Sequence, residues 1–476
     1  MNNRVKIIST VGPKSNNQFM IKKLIKAGTS MFRLNGSHAN LIWHKRAIDT
    51  IRSVSRIVPI LFDIPGSKTR LEELKNPIQI NKNTKIVLTT DTKDKLGKLF
   101  LDNKTIIAKF KKGKIIFFDD GKLSFKVKKV GKKDVEIIAI NSGVLKSRKG
   151  IHLPGLSHNQ KIISEKDKIF LNFAKKNKID FIGLSFIENQ KQITNIKKYL
   201  KSEYPKIISK IENKEGLKNL KEILPVSDGI LIDRGDLAVE TGLENLSINQ
   251  KKIISISRLF LKPVIVATEI MDNMVENSFL TKAEVSDISN FVLDGSSAAM
   301  LSAETAVGSN PIYSVKIMKK IINKVEKNYS DKIETIKFPK KDYIATASAI
   351  SNICESIKIS KIIAVTRSGF AARTLSSMNI KQQIIAVSDN FENAKIFNLY
   401  KGVQGYYFKN KFEKINLHHI PKILKELYEK KIIKNSEQIL LTAVAYPNTK
   451  NRMNMIETHH VSDLVKTFKW KIGKKF

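Results

Sequence analysis

The 476-residue sequence holds a single cysteine, Cys354, which excludes an intrachain disulfide framework and fits a reducing cytoplasm. No apolar run reaches membrane-spanning length, and Met1-Asn2-Asn3-Arg4-Val5-Lys6 opens without the apolar stretch of a secretion signal. A soluble, cytoplasmic protein with no membrane partner is expected. Acidic residues are also scarce: 44 Asp and Glu against 85 Lys and Arg give a formal net charge of +41. Such a balance can serve nucleic-acid binding. Here the lysines run from Lys6 to Lys475 with no basic tail and no arginine-rich run, in company with many Ile and Asn residues. That is a bias A/T-rich codons share, so the charge reads as solvated surface that steers anionic substrates, and no specific nucleic-acid partner is expected. An apolar content of 42% is globular, and the length calls for several domains.

What is present is a rhythm of strands and helices. Lys6 to Val11 reads as a strand punctuated by Gly12-Pro13, followed by a helix from Phe19 to Lys26, a strand from Ser30 to Leu34, a helix from Leu41 to Ser55 and a strand from Val58 to Asp63. The rhythm then stops for a stretch far longer than a βα loop. Short β-branched runs (Lys85 to Thr90, Thr105 to Phe110, Ile115 to Phe118, Phe125 to Val130, Val135 to Ile140) make this insert a small β domain, with a hairpin at Asp119-Asp120-Gly121 and a return hinge at Lys149 to Gly155. Alternation resumes with a helix from Ser164 to Asn177 and strands at Phe181 to Phe186, Ile207 to Asn213, Gly229 to Asp233, Pro263 to Thr268 and Ser297 to Ser302. A helix from Glu215 to Ile223 is among those between them. Eight strands and eight helices are the signature of a (β/α)8 TIM barrel, although counting leaves an open doubly wound sheet possible. The expected fold is thus α/β: a barrel over 1–70 and 153–334, an inserted small β-barrel lid over 71–152, and a C-terminal α/β domain over 335–476.

One strand carries the most chemistry. In Ile207-Ile208-Ser209-Lys210-Ile211-Glu212-Asn213 the alternation of side chains puts Lys210 and Glu212 on one face of an otherwise apolar strand. Two charges there are costly unless they form a structural ion pair or hold a metal. Asp236 follows the next strand and Thr268 ends the one after, so polar groups gather where barrels place active sites. Glu212 and Asp236 are hard ligands for a divalent ion. Lys210 beside them suits a reaction that develops negative oxygen, Arg33 suits a phosphate, and Gly235 lets backbone N–H groups approach a small carboxylate.

These residues carry a resemblance. Lys6 to Pro13, Arg33-Leu34-Asn35 with Ser37-His38, Ile208 to Asn213, Ser227-Asp228-Gly229, Arg234-Gly235-Asp236-Leu237, Ala267-Thr268, and Leu293-Asp294-Gly295 with Met300 to Ala306 make the chain resemble pyruvate kinase from end to end. The resemblance implies phosphoryl transfer from phosphoenolpyruvate to ADP, giving pyruvate and ATP. It implies Mg²⁺ (or Mn²⁺) on Glu212 and Asp236, and Lys210 stabilising the transferring group and the enolate. Arg33 would bind phosphate, and Gly235, Asp236 and Thr268 would meet the substrate, with Thr268 also near the proton path. Nucleotide binding falls to Asn35, Gly36, Ser37, His38, Arg70 and Lys149. Thr366, Ser368, Gly369 and Arg373 form an effector candidate, for which a plain strand-to-helix turn is the alternative. A closing lid and a homotetramer are further implications.

The sequence departs from the family's pattern at Asp63 to Arg70. Ile64 replaces a potassium-ligating threonine and Lys68 a glutamate, so Asn35, Ser37, Asp63 and Ile64 mark a K⁺ site that an ammonium at Lys68 makes dispensable. Gly36, Asp233, Glu269, Lys282 and Ser297 are other departures, of which Asp233 and Glu269 add negative charge near the metal, and Ala443 to Asn448 lacks the family's glycine-rich effector loop. A metal-dependent enolpyruvate lyase or aldolase would use Lys210, Glu212 and Asp236 without needing ADP. A basic nucleic-acid-binding protein on a decayed barrel would show salt-sensitive affinity instead.

Overall fold

A computed structural model of the chain describes residues 4–66, 69–91, 97–103, 106–119, 121–155, 163–329, 336–413, 417–445 and 453–470. Eight strands close into a barrel: Lys6–Thr10, Thr29–Asn35, Ile60–Ile64, Phe181–Leu184, Lys206–Ile211, Gly229–Asp233, Val264–Ala267 and Ala298–Leu301, counted one to eight in chain order. All neighbours are parallel, and the eighth strand returns to the first with Lys6 opposite Ala298. Closure therefore decides against the open sheet.

The strands are apolar on both faces because both are covered. Ile8, Met31, Leu61, Phe181, Ile208, Leu231, Ile265 and Met300 fill the interior. Their neighbours in the chain, among them Ile7, Phe32, Phe62, Ile207, Ile230 and Val264, form a larger shell under the helices. The abundant Asn finds a structural use at helix starts. Side chains of Asn17, Asn40, Asn189 and Asn213 accept main-chain N–H groups of the first turn, as do Ser164 and Thr281, each capping a helix.

Two expectations are corrected. The helix expected from Glu215 to Ile223 is two, Lys214–Lys218 and Leu220–Val226, broken at Asn219, whose side-chain amide donates to Glu188 O at 2.8 Å. The strand expected from Thr105 to Phe110 is a single 3₁₀ turn, Ile107–Lys109; Ile106, Ile107 and Phe110 enter the insert's core at a turn-like spacing, and Thr105 lies outside the described residues. Around that core the insert forms a six-stranded sheet and a two-stranded one. Its hairpin joins Phe118 to Leu123, with Asp119 and Gly121 both at positive φ and Asp120 outside the described residues.

The C-terminal sheet has the order Val403–Tyr407, Gln383–Ser388, Lys361–Val365, Gln438–Ala443, Met455–His460, with only the last strand antiparallel among the described residues. It meets the barrel at the N-terminal ends of the strands, the floor. There Lys6 Nζ donates to Val403 O at 2.7 Å and Gly402 N–H to Arg4 O at 2.8 Å. The opposite end, the mouth, carries the polar clusters. Cys354 is buried and unbridged, and no helix among the described residues is long and apolar enough to cross a membrane.

Candidate active site

Strand alternation carries Lys210 and Glu212 inward. Ile208 belongs to the interior core, so the residues two and four positions on rise along the same face into the mouth. Both are almost fully buried, at 6% and 1% exposure. Lys210 Nζ lies 2.8 Å from Glu212 Oε1, 3.3 Å from Asp233 Oδ2 and 3.5 Å from Asp63 Oδ2, and donates to Ser185 Oγ at 3.3 Å. Four barrel strands thus contribute through their ends to one ammonium. Burial alone would lower the Lys210 pKa, but Asp63, Glu212 and Asp233 outweigh it and hold the group charged.

Carboxylate oxygens of Glu212, Asp233 and Asp236 lie within 4.8 Å of one another. Burial, reinforced by Asp233 and Asp236 and opposed by Lys210, pushes the Glu212 pKa up to about 8. A trio of carboxylates, of which Glu212 is buried and Asp233 and Asp236 are partly exposed, has more negative charge than one lysine balances. As a hard oxygen donor set, it fits a divalent cation such as Mg²⁺. Glu212 Oε2 also accepts the Phe186 N–H, which fixes its orientation.

Asp236 and Gly235 open the helix Arg234–Thr241, and the Gly235 N–H donates to Thr268 Oγ1 at 3.1 Å. A Cβ on Gly235 would meet nothing closer than 3.9 Å, and the atoms it meets are Asp233 Oδ1 and Thr268 Oγ1. Space is therefore open on the side facing the cluster. Thr268 Oγ1 lies 3.2 Å from Asp233 Oδ1. Thr268 and Glu269 both adopt positive φ, 65° and 51°, a strained pair for residues with a Cβ. Arg234 holds that turn: its guanidinium donates to Thr268 O at 2.8 Å and Glu269 O at 2.6 Å, and pairs with Asp287 at 2.6 Å.

Across the mouth, Arg33 pairs with Asp63 Oδ2 at 2.6 Å, so Asp63 lies between the guanidinium and Lys210. Asp63 Oδ1 is buried with no hydrogen-bond partner among the described residues. Asn35 stands opposite Asp63 in register, its Oδ1 accepting the Ser37 N–H at 3.1 Å, and Ile64 is buried. Lys68, expected to supply a cation here, lies outside the described residues. Gly36 brings the two strand ends together, since a Cβ there would meet Asp63 O at 2.8 Å. His38 has its pKa lowered by partial burial and by the charges of Arg33 and Arg70.

Lys149 pairs with Asp119 at 2.6 Å and Arg70 donates to Arg148 O at 3.1 Å, contacts within the insert and its hinge. The hinge is tied to the mouth by His152, whose Nε2 lies 2.7 Å from Glu240 Oε1 in a buried pair. The effector set divides. Thr366 Oγ1 accepts the Gly369 N–H at 3.1 Å at the turn, beside Ser368, whereas Arg373 lines a cleft against the barrel floor. Glu269 is exposed and Ser297 lies at the floor, where its Oγ accepts the Val264 N–H at 3.2 Å, so neither joins the mouth cluster.

Sequence reasoning marked Asp233 as an added charge near Glu212 and Asp236 and did not place it in one cluster with them. The signal was available: Leu231 points into the interior, so Asp233, two residues on, does too. Ser185, Arg234 and His152 were named in their segments without a role, and only three-dimensional contact supplies one.

The chain matches the model of the pyruvate kinase barrel domain over residues 2–315 and that of the pyruvate kinase alpha/beta domain over residues 344–459. It is 37% identical to a pyruvate kinase of Thermococcus litoralis over 462 residues, covering 92% of this chain and 94% of the relative. It is 34% identical to one of Staphylococcus saprophyticus over 477 residues, covering 97% of this chain and 81% of that longer relative. With matches on both domains and a mouth whose Lys210, Glu212 and Asp236 stand where the sequence motifs put them, the chain belongs to the pyruvate kinase family.

Proposed function

We propose that the protein transfers the phosphoryl group of phosphoenolpyruvate to ADP. In that reaction the bond between phosphorus and the enol oxygen breaks, a bond to a terminal oxygen of ADP forms, and the enolate takes a proton on its terminal carbon to become pyruvate. The observation that carries this reading is the buried Lys210 ammonium beside Glu212, Asp233 and Asp236 at the barrel mouth. Lys210 is kept charged and close to where negative oxygen develops, on the phosphoryl group in flight and on the enolate left behind. Arg33 grips the phosphoryl group from the second strand, across the mouth. Glu212 and Asp236, joined by Asp233, hold Mg²⁺ or Mn²⁺, which when bound neutralises charge on substrate oxygens as a Lewis acid. The Gly235 N–H and Thr268 receive the substrate carboxylate, and the Thr268 hydroxyl lies on the route of the proton to the enolate carbon. Asn35, Gly36, Ser37 and His38 with Arg70 and Lys149 bind the nucleotide, and closure of the insert excludes water that would otherwise take the phosphoryl group.

Potassium is dispensable on this reading because Lys68 supplies the positive charge that Asn35, Ser37, Asp63 and Ile64 would otherwise share with an ion. A cytoplasmic homotetramer, with an effector at the turn of Thr366, Ser368 and Gly369, completes the proposal. The test is pyruvate formation from phosphoenolpyruvate and ADP. A lyase on the same barrel would turn over without nucleotide, and a nucleic-acid-binding protein would bind RNA or DNA and form no pyruvate.

A further inference from the structure

At the floor, the opposite end of the barrel from Lys210, a narrow, partly open cleft lies between the barrel and the C-terminal domain. The barrel lines it with Arg258, at the end of the helix Leu246–Leu259, and with Lys262; the C-terminal domain contributes Arg373, Tyr400 and Lys401. Among the described residues, no acidic side chain is in its lining. One of its cationic groups has no protein partner among the described residues: Lys401 Nζ is buried without a hydrogen bond, and Lys401 is only 3% exposed. Arg373 is hydrogen-bonded to Tyr400, while its Nε is buried without a partner among the described residues.

The acids that act on the cleft from outside are already engaged. Glu326 accepts the main-chain N–H groups of Arg4 and Val5 at 3.2 and 3.0 Å. Asp228 accepts the Ile207 N–H at 2.9 Å and pairs with Lys197 at 3.5 Å. Lys262 is held by Ser227 O, and Arg258 donates weakly to Ser377 O at 3.3 Å. Burial, with Arg4 adding repulsion, brings the Lys401 pKa down to about 7, and burial with Arg373 brings Lys262 to about 8. Concentrated positive charge with buried, unmatched N–H donors is what an oxyanion neutralises.

We propose that this cleft between barrel floor and C-terminal domain is a phosphate-binding site, with Lys401 and Arg373 donating from one domain and Arg258 and Lys262 adding positive charge from the other. Several cations favour a phosphate dianion over a single carboxylate, and a bound phosphate ties the two domains together.

The experiment titrates the full-length chain with inorganic phosphate, and separately with glycerol phosphate, by isothermal calorimetry. Wild type is compared with Lys401→Met, Arg373→Met and the exposed-lysine control Lys358→Met. Wild type and the control should show a phosphate-binding component that weakens at least about tenfold in both Lys401→Met and Arg373→Met, the loss expected for one charge-assisted hydrogen bond. Binding that persists in those variants belongs to the mouth. Tighter binding of glycerol phosphate would identify a phosphomonoester ligand, and tighter binding of inorganic phosphate the free ion. Should Lys401→Met fail to fold, Arg373→Met carries the comparison. Isotherms identical in wild type and the cleft variants would overturn the proposal and leave Lys401 as a neutral buried amine.

Discussion

Asp233→Ala isolates the contribution of the third carboxylate. With no cation bound, Asp233 attracts Lys210 across 3.3 Å, about 5 kcal/mol at an effective dielectric of ~20. It also repels Glu212 and Asp236, whose oxygens lie within 4.8 Å, by at least about 3 kcal/mol each on the same scale, about 7 kcal/mol together. Repulsion outweighs attraction, and Lys210 keeps Glu212 and Asp63 as partners. At about pH 9, where Glu212 is ionised, the variant should therefore be more stable than wild type in EDTA. With Mg²⁺ the order reverses, because a hard divalent ion loses a charged donor. The concentration of Mg²⁺ needed for half-maximal pyruvate formation should rise about 10–100-fold, the scale of losses at metal sites. The assays are thermal unfolding at about pH 9 in EDTA and in Mg²⁺, and a Mg²⁺ titration of activity. Lower stability in EDTA together with an unchanged Mg²⁺ requirement would refute the assignment of Asp233 to the donor set.

The raised Glu212 pKa sets a pH dependence of stability. A carboxylate whose folded pKa exceeds its unfolded value stabilises the fold fully below the unfolded value, and that stability is lost as pH rises through the folded pKa. For Glu212, at about 8, the loss should run from roughly pH 5 to 9 in EDTA, flatten in Mg²⁺ and disappear in Glu212→Gln; a wild-type melting curve in EDTA that matches Glu212→Gln across that range would contradict it. In buffer free of sodium and potassium the purified enzyme should form pyruvate; inactivity relieved only by potassium would remove Lys68 from its assigned role.

The barrel was legible because its strands are largely apolar and several helices announce their start. Ser164, Asn189 and Thr281 with Asp167, Gln192 and Glu284 three residues on form capping boxes that a reader of sequence can see. The strands Val403–Tyr407 and Met455–His460 escaped for different reasons. The first contains Gly405, needed because a Cβ there would meet Ala394 O at 1.8 Å, a contact with no sequence signature. The second is an edge strand, largely exposed, and its Glu-Thr-His-His run has no apolar alternation. At the site, motif and parity placed Lys210, Glu212 and Asp236. The grip of Arg234 on the positive-φ turn at Thr268 and Glu269 depends on a backbone shape that no spacing encodes. Arg373 shows the same limit, since its helix turns the side chain to the barrel floor, away from the loop it follows in sequence.

The central claim is that the buried Lys210 ammonium drives phosphoryl transfer at the barrel mouth. Its most direct test is a coupled assay of pyruvate formation from phosphoenolpyruvate and ADP in Mg²⁺, comparing wild type with Lys210→Met. Losing a preorganised charge from a dry site should reduce kcat by at least about 10²–10³-fold. Equal turnover by the two proteins, or no pyruvate from wild type, would contradict the claim.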